Sequence, residues 1–291
     1  MSGSLLLVGA DSEIAAATAR HLAECGVPFA ATTRRRELVT CARPFLDLAA
    51  PLDDWRAPTG VSAACIFAAI ARLQDCESDP AASSFINVTQ TVALAERLLA
   101  QGIAVLFLSS NQVFDGTVPC VPADAPTCPV SAYGRQKACT EQALAPHIAA
   151  GAPVAILRLA KIVSPGMALL RQWLAALAAG KPVAAFADMM LAPIPVHLAA
   201  MAVARLLQVQ EGARGVFQLT GPRDVAYADI AAHLAGRLGA DLGLVNPVSA
   251  AAGMPRGATP RHTTLDSSAL RNRFGIAVPD PWTVIDEGLA L

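Results

Sequence analysis

The chain has 291 residues and a formal net charge of −1, with 54% hydrophobic and 15% charged residues. This composition excludes a disordered chain, and the near-neutral charge gives no reason to expect nucleic acid or an anionic membrane as a partner. The first residues lack the charge and length of a signal peptide and no apolar stretch is clean enough for a membrane span, so we expect a cytoplasmic protein with no membrane partner.

Strand-like and helix-like segments alternate along the first 160 residues. Short apolar runs predict strands at residues 5–8, 28–33, 63–69, 103–109 and 154–159. Amphipathic stretches predict helices at residues 14–24, 83–100 and 132–145, and glycines follow the first two as stop signals. This βαβ alternation predicts an α/β fold of the Rossmann type, a doubly wound parallel sheet with helices on both faces.

After Ala160 the pattern becomes irregular, because prolines and glycines cluster there. A helix at residues 196–207 and a strand at 215–219 look like returns to the first domain. We therefore predict a Rossmann domain at residues 1–160, with returns near 196–220, and a smaller interleaved C-terminal substrate lobe formed mainly by residues 161–291. The seven cysteines show no CxxC spacing and no pairing with histidine, so no metal site is predicted.

The first predicted strand runs into the sequence GADSEIA, residues 9–15. A glycine turn followed by a helix start is typical of a dinucleotide loop, because the helix N-terminus offers free N–H groups to a pyrophosphate. Gly9 supplies the turn, but Ser12 stands where a second glycine would allow close phosphate approach. Asp11 and Glu13 add negative charge. We predict a weakened but usable loop, with an ordinary strand–turn–helix as the alternative. Its predicted cofactor residues are Gly9, Ser12, Glu13 and Ile14.

The second predicted strand ends in the sequence TTRRR, residues 32–36, without an acidic residue. NAD-preferring folds place Asp or Glu here to bind the ribose 2′-hydroxyl, whereas arginine forks suit a 2′-phosphate. We therefore predict that Thr33, Arg34 and Arg35 bind the cofactor and that NADP(H) is preferred over NAD(H). The alternative is a solvated basic helix start.

Tyr133 and Lys137 form a YxxxK pair on the third predicted helix. Residues four apart share a helix face, and an ammonium beside a phenol lowers the phenol pKa, which makes the tyrosine a usable general acid or base. The preceding strand ends near Ser110, at the sheet edge where doubly wound folds bind ligands. We predict Ser110, Tyr133 and Lys137 as catalytic residues. A chance pair on a solvated helix and a turn-forming serine are the alternatives.

Several motifs resemble one family in the same order along the chain. SSNQVFDG at residues 109–116 is similar to its STDYVFDG, and PVSAYGRQKACTE at 129–141 resembles its PxxxYGxSKxxGE. Further similar segments are CESDP at 76–80, NVT at 87–89, LRL at 157–159, GVFQLTGP at 215–222 and LDSSAL at 265–270. The chain thus resembles the extended short-chain dehydrogenase/reductases, and within them the dTDP-4-dehydrorhamnose reductase (RmlD-type) branch.

This resemblance implies an NAD(P)-dependent oxidoreductase that reduces a keto sugar attached to a nucleoside diphosphate. It implies that Tyr133 protonates the developing alkoxide, that Lys137 holds the nicotinamide ribose, and that Ser110 hydrogen-bonds the substrate carbonyl. Both Tyr133 and Lys137 therefore also contact the cofactor. A non-catalytic nucleotide-binding or regulatory subunit on the same fold is the alternative. By analogy with the family, a homodimer is an expectation as well.

The resemblance also assigns further binding residues. It implies that Asp47 and Leu48 lie beside the adenine, and that Phe67, Ala68 and Ala69 line the cofactor. The residues with which we expect the substrate, a nucleotide sugar or related carbonyl compound, to interact are Gln112, Lys161, Arg256 and Arg261. A surface lysine and solvated loop arginines are the alternatives for the last three. Gln112 and Lys161 replace aromatic residues of the family at positions that face its sugar pocket.

Overall fold

The computed structural model describes residues 3–209, 212–250 and 259–289. Its strands are β1 (Ser4–Val8), β2 (Phe29–Ala31), β3 (Val61–Ile66), β4 (Ala104–Ser110), β5 (Val154–Leu159), β6 (Ile162–Val163), β7 (Val183–Phe186), β8 (Met190–Leu191), β9 (Ile194–Pro195), β10 (Gly215–Leu219), β11 (Val225–Ala226) and β12 (Val245–Val248). Its α-helices are α1 (Glu13–Glu24), α2 (Leu73–Ser78), α3 (Pro80–Ser84), α4 (Thr91–Ala100), α5 (Ala132–Ala149), α6 (Ala168–Ala178), α7 (Val196–Leu207), α8 (Tyr227–Leu238), α9 (Ser268–Phe274) and α10 (Pro281–Leu289).

The chain divides into two compact units. The first comprises Met1–Val113, Ser131–Arg158 and His197–Phe217, and the second comprises Phe114–Val130, Leu159–Val196 and Gln218–Leu291. Each unit has a hydrophobic core of its own.

A six-stranded sheet in the order β2-β1-β3-β4-β5-β10 forms the centre of the first unit. The pairs β1–β2, β1–β3 and β3–β4 are parallel. The apolar strands predicted from the sequence form this sheet because both of its faces are covered, so β1 and β5 are buried along almost their whole length. The predicted α/β doubly wound parallel sheet is confirmed.

The strand order of this sheet reverses between β1 and β3, because the chain runs from β1 to β2 on one side and then returns to place β3 on the other. Connections that leave neighbouring strands in opposite directions open a crevice at their carboxyl ends, and ligands of doubly wound sheets bind in that crevice. The switch point lies directly beyond Val8 and Ile66.

The predicted helix at residues 83–100 consists of three segments, α3, a π-helical turn at Phe85–Gln90, and α4. At the start of α4, the Thr91 hydroxyl donates to the carbonyl of Ile86 in this turn, at 2.9 Å. Helix α5 extends to Ala149 and passes Pro146, so the predicted end at residue 145 was one turn short. A proline removes one backbone donor, and here the final turn persists through the hydrogen bond from the Ala150 amide to the Pro146 carbonyl.

The second unit contains three two-stranded pairs, β7–β12, β8–β11 and β6–β9. Its core is formed by α6, α8 and α10, and Trp173 of α6 meets Tyr227 of α8 edge to face with 6.2 Å between ring centroids. The sequence patterns did not predict these helices, because prolines and glycines cluster in the segments between them. Among the described residues, no helix is both long enough and apolar enough to cross a membrane.

Candidate active site

A cavity of about 830 Å³ opens in the first unit at the switch point between β1 and β3. Its walls are the loop after β1, the ends of β2 and β3, and the segments around residues 46–49 and 70–86. Eight predicted cofactor residues line it: Gly9, Ser12, Arg34, Asp47, Leu48, Phe67, Ala68 and Ala69. The structure therefore brings together residues that the sequence separates by up to sixty positions.

The loop GADSEIA forms one wall of this cavity. Gly9 has a φ of +85°, and a Cβ at this position would lie 2.7 Å from the backbone nitrogen of Ala68, so only glycine fits between the two strand ends. Ser12 caps α1 by accepting a hydrogen bond from the Ala15 amide at 3.3 Å. In the described chain, the amides of Glu13 and Ile14 have no acceptor. A helix N-terminus with free amides is an anion-binding site.

Asp11 is not the bare negative charge that the sequence indicates. One of its carboxylate oxygens accepts hydrogen bonds from Arg35 and from Arg43, each at 2.7 Å. The other oxygen accepts from the Thr33 hydroxyl at 3.2 Å. The hydrogen bond from Arg35 lowers the pKa of Asp11, so the carboxylate is ionised but balanced by its partners.

The three consecutive arginines after β2 have three different surroundings. Arg34 lines the cavity. Arg35 is ion-paired with Asp11, and Arg36 lies over the ring of Phe45 with its guanidinium carbon 4.4 Å from the centroid. Arg34 has no ion-pair partner among the described residues. The sequence could not distinguish these roles, because each depends on residues far from the run.

Arg43 was missed by the sequence analysis. Residues 42–46 run parallel to the end of β2, because the Ala31 amide bonds to the Ala42 carbonyl and the Thr33 amide bonds to the Pro44 carbonyl. This ladder fixes Arg43 beside Asp11. Its Nε is buried without a hydrogen-bond partner among the described residues. No local motif marks the segment, so its pairing with β2 could not be predicted.

These features fit a dinucleotide cofactor. The free amides at the start of α1 suit a pyrophosphate, and the volume of the cavity is in the range of small-molecule and cofactor sites. Arg34 provides a cation at the cavity wall, and the buried Leu48 and Phe67 provide apolar surface for an adenine. Glu13, Ile14, Thr33 and Arg35 are sequence neighbours of lining residues, and Tyr133 and Lys137, also predicted to contact the cofactor, are not among the lining residues either.

The predicted catalytic residues lie at the end of β4 and on the first turns of α5. Helix α5 begins close to this strand end. Ser131 caps it by accepting from the Gly134 amide at 3.0 Å, and the Glu77 carboxylate accepts from the Ala132 amide at 2.6 Å. A Cβ at Gly134 would collide with the carbonyl oxygen of Gln112. The glycine after Tyr133 is therefore required for this close approach between the helix and the turn that follows β4.

Lys137 is buried on the inner face of α5, with only 4% of its surface exposed. Its Nζ donates to the carbonyl of Leu108 at 2.8 Å and lies 5.6 Å from the centre of the Tyr133 ring. Burial lowers the pKa of Lys137 from the usual 10.5 to about 8. The lysine therefore lies beside the tyrosine, as the spacing predicts, but burial disfavours its charged form.

Burial raises the pKa of Tyr133 above its ordinary value. The prediction that Lys137 lowers this pKa is wrong for the chain alone, because the desolvation of the phenol dominates. A tyrosine with a raised pKa keeps its proton at neutral pH but is a weaker acid than a free phenol. Ser110 is buried at the end of β4. Its Oγ accepts from the Gln112 amide at 3.2 Å and donates to Asn111 Oδ1 over a longer distance, 3.4 Å.

The predicted substrate residues are dispersed. Gln112 uses its side-chain oxygen to accept from Ser131 at 3.0 Å and so supports the start of α5. Lys161 and Arg261 are exposed residues of the second unit. Arg256 lies outside the described residues.

Two buried networks that support the site were not assigned from the sequence. Glu141 continues the face of Tyr133 and Lys137 by another four residues, and its carboxylate accepts from Arg158 at 2.7 Å and from Ser109. The i, i+4, i+8 spacing was the available signal. Asn87, in the π-helical turn, bonds both the amide and the carbonyl of Ile70, at 2.8 and 2.9 Å, and thereby holds the cavity wall after β3.

Comparison with known proteins agrees with this arrangement. The family model described as "RmlD substrate binding domain" matches residues 3–287. A dTDP-4-dehydrorhamnose reductase of Sinorhizobium fredii is 29% identical over 261 residues, which cover 84% of this chain and 86% of that protein.

Solved structures share the fold at lower identity. The dTDP-4-dehydrorhamnose reductase of Bacillus anthracis in complex with NADP is 15% identical and has a TM-score of 0.83 over 100% of this chain and 99% of that one. The UDP-glucose 4-epimerase of Thermus thermophilus in complex with NAD is 19% identical, with a TM-score of 0.80 over 99% and 98% of the two chains. Because the family model spans nearly the whole sequence, this chain belongs to the RmlD substrate binding domain family.

Proposed function

We propose that the chain is an NADPH-preferring reductase that converts the keto group of a nucleotide sugar into an alcohol, with Tyr133 as the general acid. The observation that carries the proposal is the cavity at the β1–β3 switch point, which gathers the loop after β1, the arginine at the end of β2 and the wall after β3. The named activity of the Sinorhizobium relative supports the same reaction class.

The first unit would hold the cofactor. The amides of Glu13 and Ile14 bind the pyrophosphate, Arg34 faces the 2′-phosphate, and Leu48 and Phe67 enclose the adenine. The second unit would supply substrate residues, and Lys161 and Arg261 are its candidates for the diphosphate of a nucleotide sugar. A homodimer stays a prediction.

The chemistry would follow from the three residues at β4 and α5. A bound reduced nicotinamide supplies the hydride. Ser110 turns its hydroxyl proton toward the substrate carbonyl, since the hydroxyl oxygen is already held by the Gln112 amide and its bond to Asn111 is long. Tyr133 gives its proton to the oxygen that gains negative charge. Lys137, 5.6 Å from the ring centre, stabilises the tyrosinate that remains.

The test is a titration followed by a turnover assay. Purified protein is titrated with NADPH and with NADH while the nicotinamide fluorescence is recorded, and is then assayed with a dTDP-4-keto-6-deoxyhexose. Tighter binding of NADPH together with NADPH oxidation that depends on the sugar supports the proposal. Cofactor binding without turnover of any keto sugar nucleotide favours a non-catalytic nucleotide-binding subunit. Absence of binding of either cofactor contradicts both.

A further inference from the structure

The end of β2, where the proposed function places the 2′-phosphate of the cofactor, is already occupied by a carboxylate, that of Asp11. Asp11 occupies the position between Arg35 and Arg43, with both guanidinium groups 2.7 Å from the same carboxylate oxygen and Thr33 on the other oxygen. Two guanidinium groups and a hydroxyl around an oxyanion form an environment that a phosphate monoester also prefers. The loop after β1 therefore places the carboxylate of Asp11 beside arginines that could otherwise bind a phosphate.

We infer that Asp11 is the internal counter-ion of the 2′-phosphate subsite, and that it restricts the discrimination of the enzyme between NADPH and NADH. The inference rests on the proposed function. A bound 2′-phosphate competes with Asp11 for Arg35 and Arg43, whereas NADH leaves the ion pairs in place.

The charges of the described residues support this role. Asp11 lines the cavity together with Arg34, which has no carboxylate partner in the described chain. With Asp11 present, the three arginines near the subsite are partly neutralised, and a phosphate dianion meets repulsion from the carboxylate. Arg43 contacts Asp11 through Nη2, while its Nε is buried and has no hydrogen-bond partner among the described residues.

Asp11 also lies next to the end of β2, because its carboxylate bonds to Thr33. NAD-binding folds place their ribose-binding carboxylate at the end of this strand, and Asp11 would supply from another loop the acid that the TTRRR run lacks. The same residue thereby disfavours the phosphate and accommodates the free 2′-hydroxyl.

The experiment measures the subsite without the nicotinamide half of the cofactor. Isothermal titration calorimetry gives the Kd of adenosine 2′,5′-bisphosphate and of adenosine 5′-monophosphate for the wild type and for Asp11→Asn. The variant keeps the size of the side chain and removes its charge. We expect the affinity ratio of bisphosphate over monophosphate to rise about tenfold in the variant, and to rise less at high salt, because partly exposed charges are screened.

Asp53→Asn is the matched control, because Asp53 is also paired with an arginine of the first unit, Arg97, but lies outside the cavity lining. Its ratio should equal that of the wild type. A second variant, Arg43→Gln, should lower the ratio, since the subsite loses a cation while Asp11 keeps Arg35. An unchanged or lower ratio in Asp11→Asn overturns the inference, as does an equal rise in the Asp53 control. If the wild type binds neither nucleotide nor NADPH, the proposed function itself has failed.

Discussion

At the scale of single residues, the half-buried Tyr133 is the proposed general acid. Desolvation raises the pKa of its phenol, so the side chain is protonated through the neutral range and its proton is present for the proposed reduction. We expect Tyr133→Phe to lower kcat by roughly 10²- to 10⁴-fold, which is the usual contribution of a general acid. The Kd for NADPH, measured by fluorescence, should stay within about twofold of the wild-type value because the cavity does not include this side chain.

The chain contains one other tyrosine, which provides the control. Tyr227 packs against Trp173 in the core of the second unit, and Tyr227→Phe should retain the wild-type kcat. A Tyr133→Phe enzyme that reduces the keto sugar at the wild-type rate would contradict the assignment of Tyr133 as the acid.

The lowered pKa of Lys137 predicts that the stability of the protein depends on pH. The folded chain releases the Lys137 proton near pH 8, whereas an unfolded lysine holds it up to about 10.5. Between these values the unfolded state binds more protons, so the free energy of unfolding rises with pH. The contribution of Lys137 to the free energy of unfolding should increase by roughly 2.5 kcal/mol between pH 7 and pH 10.

The measurement is urea unfolding of the wild type and of Lys137→Met across this pH range. Methionine matches the length of the side chain but does not titrate. The difference in unfolding free energy between the two proteins should change with pH in favour of the wild type. A difference that stays constant from pH 7 to pH 10 would show that the lysine keeps its ordinary pKa in the folded chain.

At the scale of elements, the ion pair between Glu141 and Arg158 joins α5 to β5. Both side chains are almost completely buried, with 6% and 4% exposed, so a charge left alone there is strongly unfavourable. Arg158→Met should lower the free energy of unfolding by about 3 kcal/mol or more, measured by urea denaturation.

The double variant Glu141→Leu/Arg158→Met should regain most of this loss, because two apolar side chains of similar size leave no unpaired charge. Single and double variants of equal stability would show that the pair is hydrated in solution. The distinction matters for the site, since Glu141 shares a helix face with Lys137 and its charge acts to raise the pKa of that lysine.

The first unit was largely predictable from the sequence, and the reason is physical. Strands β1, β3 and β4 are continuous apolar runs because helices cover both faces of a parallel sheet, and glycines mark the ends of the helices between them. Helices α6 and α8 of the second unit are as amphipathic as α1, but they lie among segments rich in proline and glycine and outside the regular βαβ alternation.

The candidate site was predictable where a local motif encodes it. The loop after β1 and the YxxxK helix follow from spacing alone. The pairing of Arg43 with Asp11 does not, because it depends on a backbone ladder between β2 and a segment without a motif. The desolvation of Tyr133 could not be predicted from the sequence either, since it depends on how the whole first unit packs around the side chain.

At the scale of the whole molecule, the two units have separate cores, and the cavity belongs to the first. A ligand that binds only the folded state stabilises it by mass action, so NADPH at one hundred times its Kd should add about 2.7 kcal/mol to the free energy of unfolding of the part that binds it. Native-state hydrogen exchange followed by mass spectrometry resolves where this protection appears. We expect slower exchange in the peptides that cover residues 8–15, 32–49 and 67–86.

The core of the second unit provides the internal comparison. Peptides from α6 and α8 contribute nothing to the cavity lining, so they should gain less protection than the three cavity segments at the same NADPH concentration. Nicotinamide mononucleotide, which lacks the adenosine half, should protect the segment at 32–49 least, because that segment holds Arg34 and Leu48. Uniform protection of both units, or protection confined to the second, would place the cofactor elsewhere and would remove the switch-point cavity from the mechanism.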